Sequence, residues 1–367
     1  MSVTSARVLD SVTQDAGFVV TDPADVRLLR ALQLSPRASF ARLGELLGVP
    51  ERTLGRRYRA LHANGALRIV GVPNARALGQ QVWMVRVRCR PDGAAALARA
   101  LAQRDDLTWV TLHAAGSEIH FSVRAVSEEQ RDILLTRRLP RASHVLGIEA
   151  SVVLHQFVRP HAADWSVFAD LLTEQQTAAL RADAPAPDPV DPHRPIRLDA
   201  DDRAILAALA QDGRAGPSQL ARAAGISEGR ATRRLAALLR CGAVVIDVDV
   251  AGPAFGYNAK AALYLRVTPA RLPEIGQALA AIPEVGFAAA TSGPYNLIAA
   301  ALCRDLTELY ELTSGRIGTL SGVQSMEISP LSRAVKQAGA LVGDQNRLES
   351  PARRSRAAPR EPVRAVG

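Results

Sequence analysis

The amino-acid sequence predicts an α+β protein made of two copies of one plan: a winged-type helix-turn-helix domain followed by a ferredoxin-like βαββαβ domain. Three observations predict this. The chain repeats itself at an offset of 177 residues, so that Leu43, Gly48, Glu51 and Arg56-Arg57 meet Leu220, Gly225, Glu228 and Arg233-Arg234. Each copy opens with three short helical patterns, the second and third separated by a glycine turn. Each then continues strand–helix–strand–strand–helix–strand. The repeat needs no gap from Asp22 to Ala66, and the offset still holds at Gly116 and Gly293. It is too long for a solenoid unit and reads as a fused duplication standing in for a homodimer.

In the first copy, Asp22 is placed to cap a helix whose apolar face is Val26, Leu29 and Leu32. A second helix over 40–47 turns Leu43, Leu46 and Leu47 inward. Gly48-Val49-Pro50 ends it and starts the third, which Gly65 closes. In the second copy Asp199 caps the first helix, Gly216-Pro217 opens the second, and Ser227 caps the third, which ends at Gly242. Strands are expected at 66–72 and 243–250, where Val244, Ile246, Val248 and Val250 alternate. The split βαβ patterns follow at 82–90, 93–103, 107–115, 119–126, 128–138 and 146–154, and again at 261–267, 269–282, 285–291, 295–302, 305–316 and 323–328. Between the halves, 165–182 reads as an amphipathic helix, and the prolines from Pro185 to Pro192 as a stiff linker.

Composition narrows the function classes. The formal charge is +9 and the sequence pI is about 10.2, which suits a polyanionic partner. No run of eighteen apolar residues is present, so no membrane span is expected, and the start lacks the basic and apolar regions of a secretory signal. Cys89, Cys241 and Cys303 are odd in number and widely spaced. They match neither a disulfide framework nor a zinc spacing and point to a reducing cytoplasm. Neither a nucleophile–base set nor a metal-ligand pair on a helix is visible, so no cofactor is expected.

The third helix of a helix-turn-helix must bury one face and offer the other to a DNA groove. Leu54, Tyr58 and Leu61 make the buried stripe of the first copy; Ala231, Leu235 and Leu238 make that of the second. The outward set is Arg52, Thr53, Arg56, Arg57 and Arg59 in the first, and Ser227, Arg230, Thr232, Arg233 and Arg234 in the second. Arginine contacts phosphates and bonds both acceptors of guanine. Residues 50–63 and 227–240 each hold four arginines and one glutamate. A single copy also reads as a bundle with a solvated basic face; two copies in register favour double-stranded DNA.

These residues resemble the Lrp/AsnC (leucine-responsive, feast/famine) family of transcriptional regulators. The resemblance is carried by the opening Leu198 to Leu206, by Gln211-Asp212-Gly213-Arg214, by Gly225-Ile226-Ser227, by Gly256-Tyr257 and by the loop Ser292-Gly293-Pro294-Tyr295-Asn296. It implies that each half joins a DNA-reading head to an effector and oligomerisation domain. It also implies that the two effector domains pack sheet against sheet, that the strand after each head pairs with its counterpart, and that one chain is a pseudo-dimer able to assemble into homo-oligomers. Small effectors, amino acids among them, would bind near Gly116, Ser117 and Glu118 and near Gly293, Pro294, Tyr295 and Asn296. Pro294 and Asn296 stand where the family carries acidic residues.

The expected organisation is a tail over 1–20, heads over 21–72 and 198–250, effector domains over 80–157 and 258–336, a helix and Pro-rich linker over 158–197, and a disordered Arg-rich tail over 337–367. Two other functions suit the same plan: a sirohaem-decarboxylase-like enzyme, and a nucleoid-packing protein. The enzyme would need His or Arg residues around a tetrapyrrole. His113 and His120, on neighbouring strands beside Gly116, are the pair placed to face each other, although ordinary sheet positions account for them as well.

Overall fold

The computed structural model describes residues 19–125, 128–158, 166–184, 187–191, 193–343 and 346–349. The first head contains α1 (Pro23–Leu34), α2 (Phe40–Leu47) and α3 (Glu51–Ala63). The side chains of Asp22 and Ser39 accept backbone N–H groups at the starts of α1 and α2. Gly48 ends α2 at φ 69°, a left-handed conformation that costs a glycine no steric strain. Then come β1 (Leu67–Pro73), β2 (Gln81–Cys89), α4 (Pro91–Ala102), β3 (Leu107–His113), β4 (Glu118–Ala125), α5 (Glu128–Asp132) and β5 (Val145–Val158). The second half runs from linker helix α6 (Glu174–Asp183) through α7 (Ala200–Gln211), α8 (Pro217–Ala224), α9 (Glu228–Arg240), β6 (Val244–Val250) and β7 (Ala259–Val267). It closes with α10 (Leu272–Ala280), β8 (Val285–Thr291), β9 (Leu297–Cys303), α11 (Leu306–Glu311), β10 (Val323–Gln337) and β11 (Ala340–Leu341).

The strand leaving each head pairs with its counterpart. β1 and β6 form a two-stranded antiparallel ribbon in register from Leu67↔Val250 to Pro73↔Val244. Leucines of α1–α3, Ile205, Leu209, Leu220 and Ala231 of the second head, and Phe168, Leu172 and Leu180 of the linker form one continuous buried cluster. Both heads, the ribbon and the linker therefore share a single core.

The effector domains do not remain two separate sheets. β5 and β10 are longer than expected, at 14 and 15 residues, and each serves both sheets. β5 pairs first with β2 and then, from Val153, with β8. β10 pairs first with β7 and then, from Leu331, with β3. Eight strands close into a ring in the order β10-β3-β4-β2-β5-β8-β9-β7. Closure removes the sheet edges that two open sheets would expose. Alternate residues face outward to the helices, as Val85, Val87 and Ile119 do in one half and Leu263 and Leu265 in the other. The opposite set points between the sheets.

Three expectations need correction. The linker is not one helix over 165–182: a 3-10 stretch, Ser166–Leu171, precedes α6, because Thr173 and Gln176 form a capping box that starts a new helix. Trp165 lies outside the described residues. The expected N-terminal tail is folded at its end, since Val20 is buried and its N–H donates to the Ala254 carbonyl at 2.6 Å; residues 1–18 lie outside the described residues. The C-terminal segment is also folded as far as 349. Gly339 bonds Thr108, β11 pairs with the end of β10, and the Leu348 N–H donates to the Gly65 carbonyl at 3.0 Å. Leu348 packs with Ala251, Ala334 and Val342, which ties the end of α3 to the ring. Its polar composition hid a few well-placed apolar residues. Residues 344, 345 and 350–367 lie outside the described residues.

Candidate nucleic-acid interface and interior cleft

α3 and α9 carry the candidate DNA contacts. On α3 Leu54 and Leu61 are buried, Tyr58 is half-buried, and Arg52, Arg56 and Arg59 are exposed, with Thr53 half-buried beside them. On α9 Ala231, Leu235 and Leu238 are buried, while Ser227, Arg230, Thr232 and Arg233 are exposed. Ser227 uses its hydroxyl to cap α9. Thr232 turns its hydroxyl back to the Glu228 carbonyl at 2.9 Å.

Three of the arginines read as outward are engaged within their own head. Arg57 donates to Asp22 at 2.5 Å and Asp25 at 2.9 Å. Arg234 pairs with Asp199 and lies 3.5 Å from Asp201 and 3.6 Å from Asp202. Arg230 donates to Asp201 at 2.6 Å. The carboxylates sit at the start of each head's first helix, where a negative charge also suits the helix dipole. Helical spacing places a residue on a face; it does not reveal an acid on the neighbouring helix.

The candidate effector residues divide in the same way. Glu118, Pro294 and Tyr295 reach the space between the sheets. Asn296 instead pins its loop to β7, accepting from the Val267 N–H and donating to the Val267 carbonyl, both at 2.8 Å. Ser117 bonds within its own turn, to Ala114. Gly116 and Gly293 supply turns at φ 88° and 97°.

A polar layer fills the ring interior. Arg86 and Tyr264, each the sixth residue of its nine-residue strand, meet at the centre, with the guanidinium 4.3 Å from the ring centroid. Arg86 donates to Glu118 at 3.0 Å and to Glu327 at 2.6 Å, and Tyr295 donates to Glu327 at 2.6 Å. Burial opposes the charge on Arg86, but its bond to Glu327 and the carboxylate of Glu118 hold it protonated. The His113 and His120 rings stack at 3.8 Å. Burial lowers the pKa of both rings, which keeps them neutral. His120 donates from Nε2 to Glu118 at 2.9 Å and accepts from the Tyr264 hydroxyl at 3.0 Å. His113 donates from Nδ1 to the Ser329 carbonyl at 3.1 Å, with Thr111 at its Nε2. Burial, then the neighbouring His120, lowers His113 to about 3. The His120 bond and then Arg86 lower Glu118 to about 2, against the effect of burial.

Beside this layer lies a narrow cleft lined by Met84, Arg86, Glu149, Ser151, Tyr264, Pro294, Tyr295 and Ile298, residues of both halves. Sequence reasoning missed Arg86, Glu149, Tyr264 and Glu327. The available signal was the row of polar and aromatic residues alternating with Val85 and Val87 and with Leu263 and Leu265, on strands whose other face packs on helices.

Among the described residues no helix is long and apolar enough to cross a membrane. Two helix-turn-helix heads on a shared ribbon, carried by a ring with an interior cleft, define a DNA-binding transcriptional regulator with an effector-binding domain. Residues 22–62 and 198–239 each match the AsnC-type helix-turn-helix domain, and residues 261–341 match the Lrp/AsnC ligand binding domain. Both heads and the second effector domain thus carry the domains of Lrp/AsnC transcriptional regulators. It is 29% identical over 144 residues to an uncharacterised HTH-type transcriptional regulator of Pyrococcus abyssi, covering 39% of this chain and 91% of that one. It is 27% identical over 146 residues to the regulatory protein AsnC of Escherichia coli, covering 38% and 96%. Over 85% of this chain and 92% of that one, the fold is similar to that of the siroheme decarboxylase NirDL, with a TM-score of 0.56 and 16% identity. At that identity the likeness is one of fold.

Proposed function

We propose that the chain is a pseudo-dimeric, sequence-specific regulator that reads double-stranded DNA with α3 and α9 and takes a small effector in the interior cleft. The observation that carries the DNA reading is the pair of matched heads, each presenting exposed arginine on its third helix: Arg52, Arg56 and Arg59 on one, Arg233 on the other. Further assembly into homo-oligomers and a cytoplasmic location belong to the same reading; three free thiols suit a reducing compartment. Selection of duplexes from a random pool by the full-length protein, followed by anisotropy titration at several salt concentrations, tests it. A recovered motif bound at least about a thousandfold more tightly than bulk DNA supports a regulator. Equal affinity for all duplexes points to nucleoid packing instead.

The fold likeness to NirDL favours a second reading, an enzyme acting on a tetrapyrrole. Against it, every ring nitrogen of His113 and His120 has a protein partner, and Arg86 is held by two carboxylates. The groups suited to protonate or grip a tetrapyrrole acid are thus engaged. An absorption titration with sirohaem separates the readings: a saturable spectral shift would favour the enzyme, and an unchanged spectrum the regulator.

A further inference from the structure

The two heads hold each other by a reciprocal pair of arginines. Arg37 and Arg214 are each the third residue after the last residue of the first helix of their head. Arg37 donates to the carbonyls of Gly213 and Ala215, the latter at 3.0 Å. Arg214 donates to the carbonyls of Pro36 at 2.6 Å and Ala38 at 2.7 Å. Each guanidinium therefore grips the two residues that flank the other arginine. Two like charges in such proximity repel, and carbonyl dipoles and aromatic faces offset the repulsion: Arg214 lies 4.8 Å from the Phe40 ring centroid and 5.6 Å from that of Tyr58, on α3 itself.

The clamp joins the first head's turn to a turn of the second head that already rests on the shared ribbon. The Gly213 N–H donates to the Ile69 carbonyl of β1 at 2.7 Å. A Cβ at Gly213 would come within 2.8 Å of the Val70 backbone nitrogen, so the second head's turn lies directly on the first head's strand. α2 and α8 start just beyond the clamped turns, and each leads through its glycine turn into a reading helix. The turn between first and second helix is thus the point from which each reading helix is positioned.

Resting on the DNA-binding reading, we propose that Arg37 and Arg214 are spacing-determining residues: by locking the two heads together they hold α3 and α9 at one separation and one phase, so that only half-sites at one distance are read together. Two binding modules on one chain gain roughly a hundredfold or more in affinity when both engage, and lose the gain when geometry forbids it. A lysine keeps the charge but cannot donate the planar fork that spans two carbonyls.

The experiment uses the full-length protein and its Arg37→Lys/Arg214→Lys variant, with a selected duplex and the same duplex carrying two or five extra base pairs between half-sites; five is about half a helical turn. The expected result is that wild type loses on the order of a hundredfold on either insertion. The variant, folded by circular dichroism, should bind the original duplex more weakly and lose less than about tenfold on insertion. A folded variant with the wild-type spacing penalty would overturn the proposal. So would a wild type that binds all spacings alike. Should the double variant not fold, the Arg214→Lys single variant is read by the same criteria. Failure of wild type to select any duplex would instead overturn the DNA reading itself.

Discussion

Arg57 and Arg234 occupy equivalent places on the two reading helices, and each is tied to the acidic start of the first helix of its own head. Arg57 bonds Asp22 and Asp25, and Arg234 pairs with Asp199. Their neighbours Arg56 and Arg233 are exposed. The arginine pair therefore divides its work: the second member braces the head, and the first is presented to solvent.

From this division, Arg56→Ala and Arg233→Ala should each weaken DNA binding by about 1–3 kcal/mol if the arginine contacts a base, with no change in melting temperature. Arg57→Ala and Arg234→Ala should lower stability by about 1 kcal/mol, since these pairs are partly exposed. Melting curves and anisotropy titrations of all four variants check it. If Arg57→Ala lost affinity without losing stability, the bracing role would be wrong.

The stacked histidines predict acid sensitivity. His113 is lowered to about 3 by burial, so the unfolded chain binds a proton that the folded chain refuses between that value and the ordinary 6.5. Stability is complete above 6.5 and falls as pH drops, by about 2 kcal/mol at pH 5 from this ring alone. His113→Leu should flatten the fall in melting temperature between pH 7 and 5. Parallel pH profiles for the variant and wild type would show that the ring is not the source.

Asp249 predicts the opposite slope. It is buried on β6, opposite Arg68 in the ribbon, with Asp247, Lys260 and Gln337 around it. Gln337 donates to Oδ1 at 2.5 Å, while Oδ2 is buried with no hydrogen bond among the described residues. Burial raises the carboxyl to about 6, so ionising it as pH rises from 3.8 through 6 costs stability. Asp249→Asn keeps the acceptor for Gln337 and removes the charge. It should stabilise the protein at pH 8 by on the order of 2 kcal/mol and change little at pH 4. Destabilisation at pH 8 in thermal melts would count against a buried, costly charge.

The DNA site should have unequal halves. α3 presents Arg52, Arg56 and Arg59, whereas on α9 Arg230 is held by Asp201 and Ser227 serves as cap. Arg52 has Gly229 as its counterpart, and Thr53 has Arg230. Identical heads would prefer a palindrome. Base substitution across a footprinted site should instead give two different preference profiles. The same preferences in inverted orientation would make the heads equivalent readers.

Much of the architecture was readable because it depends on local rules. Helix caps at Asp22, Asp199 and Ser227, the glycine turns at Gly48 and Gly225, and apolar periodicity act over a few residues, and the second copy repeats each signal. The buried stripes of α3 and α9 follow from helical spacing alone. The interior layer was much less legible. Arg86, Tyr264 and Glu327 come together only because β2 faces the paired strands β7 and β10 across the ring, and no local rule records that.

By itself, the sequence determined two helix-turn-helix heads, two βαββαβ units and a basic reading segment on each head. It also determined the direction in which each helix buries its apolar face, because propensity, capping and periodicity are local. The tertiary structure decided which arginines are tied within their own head, since an ion pair such as Arg57–Asp25 joins residues on different helices. It decided that the effector sheets close into one ring, since β5 and β10 gain partners in both halves only when the halves meet. It also decided that Arg37 and Arg214 grip each other's turns. Such contacts join residues far apart in the chain, and their geometry exists only once the shared core has formed.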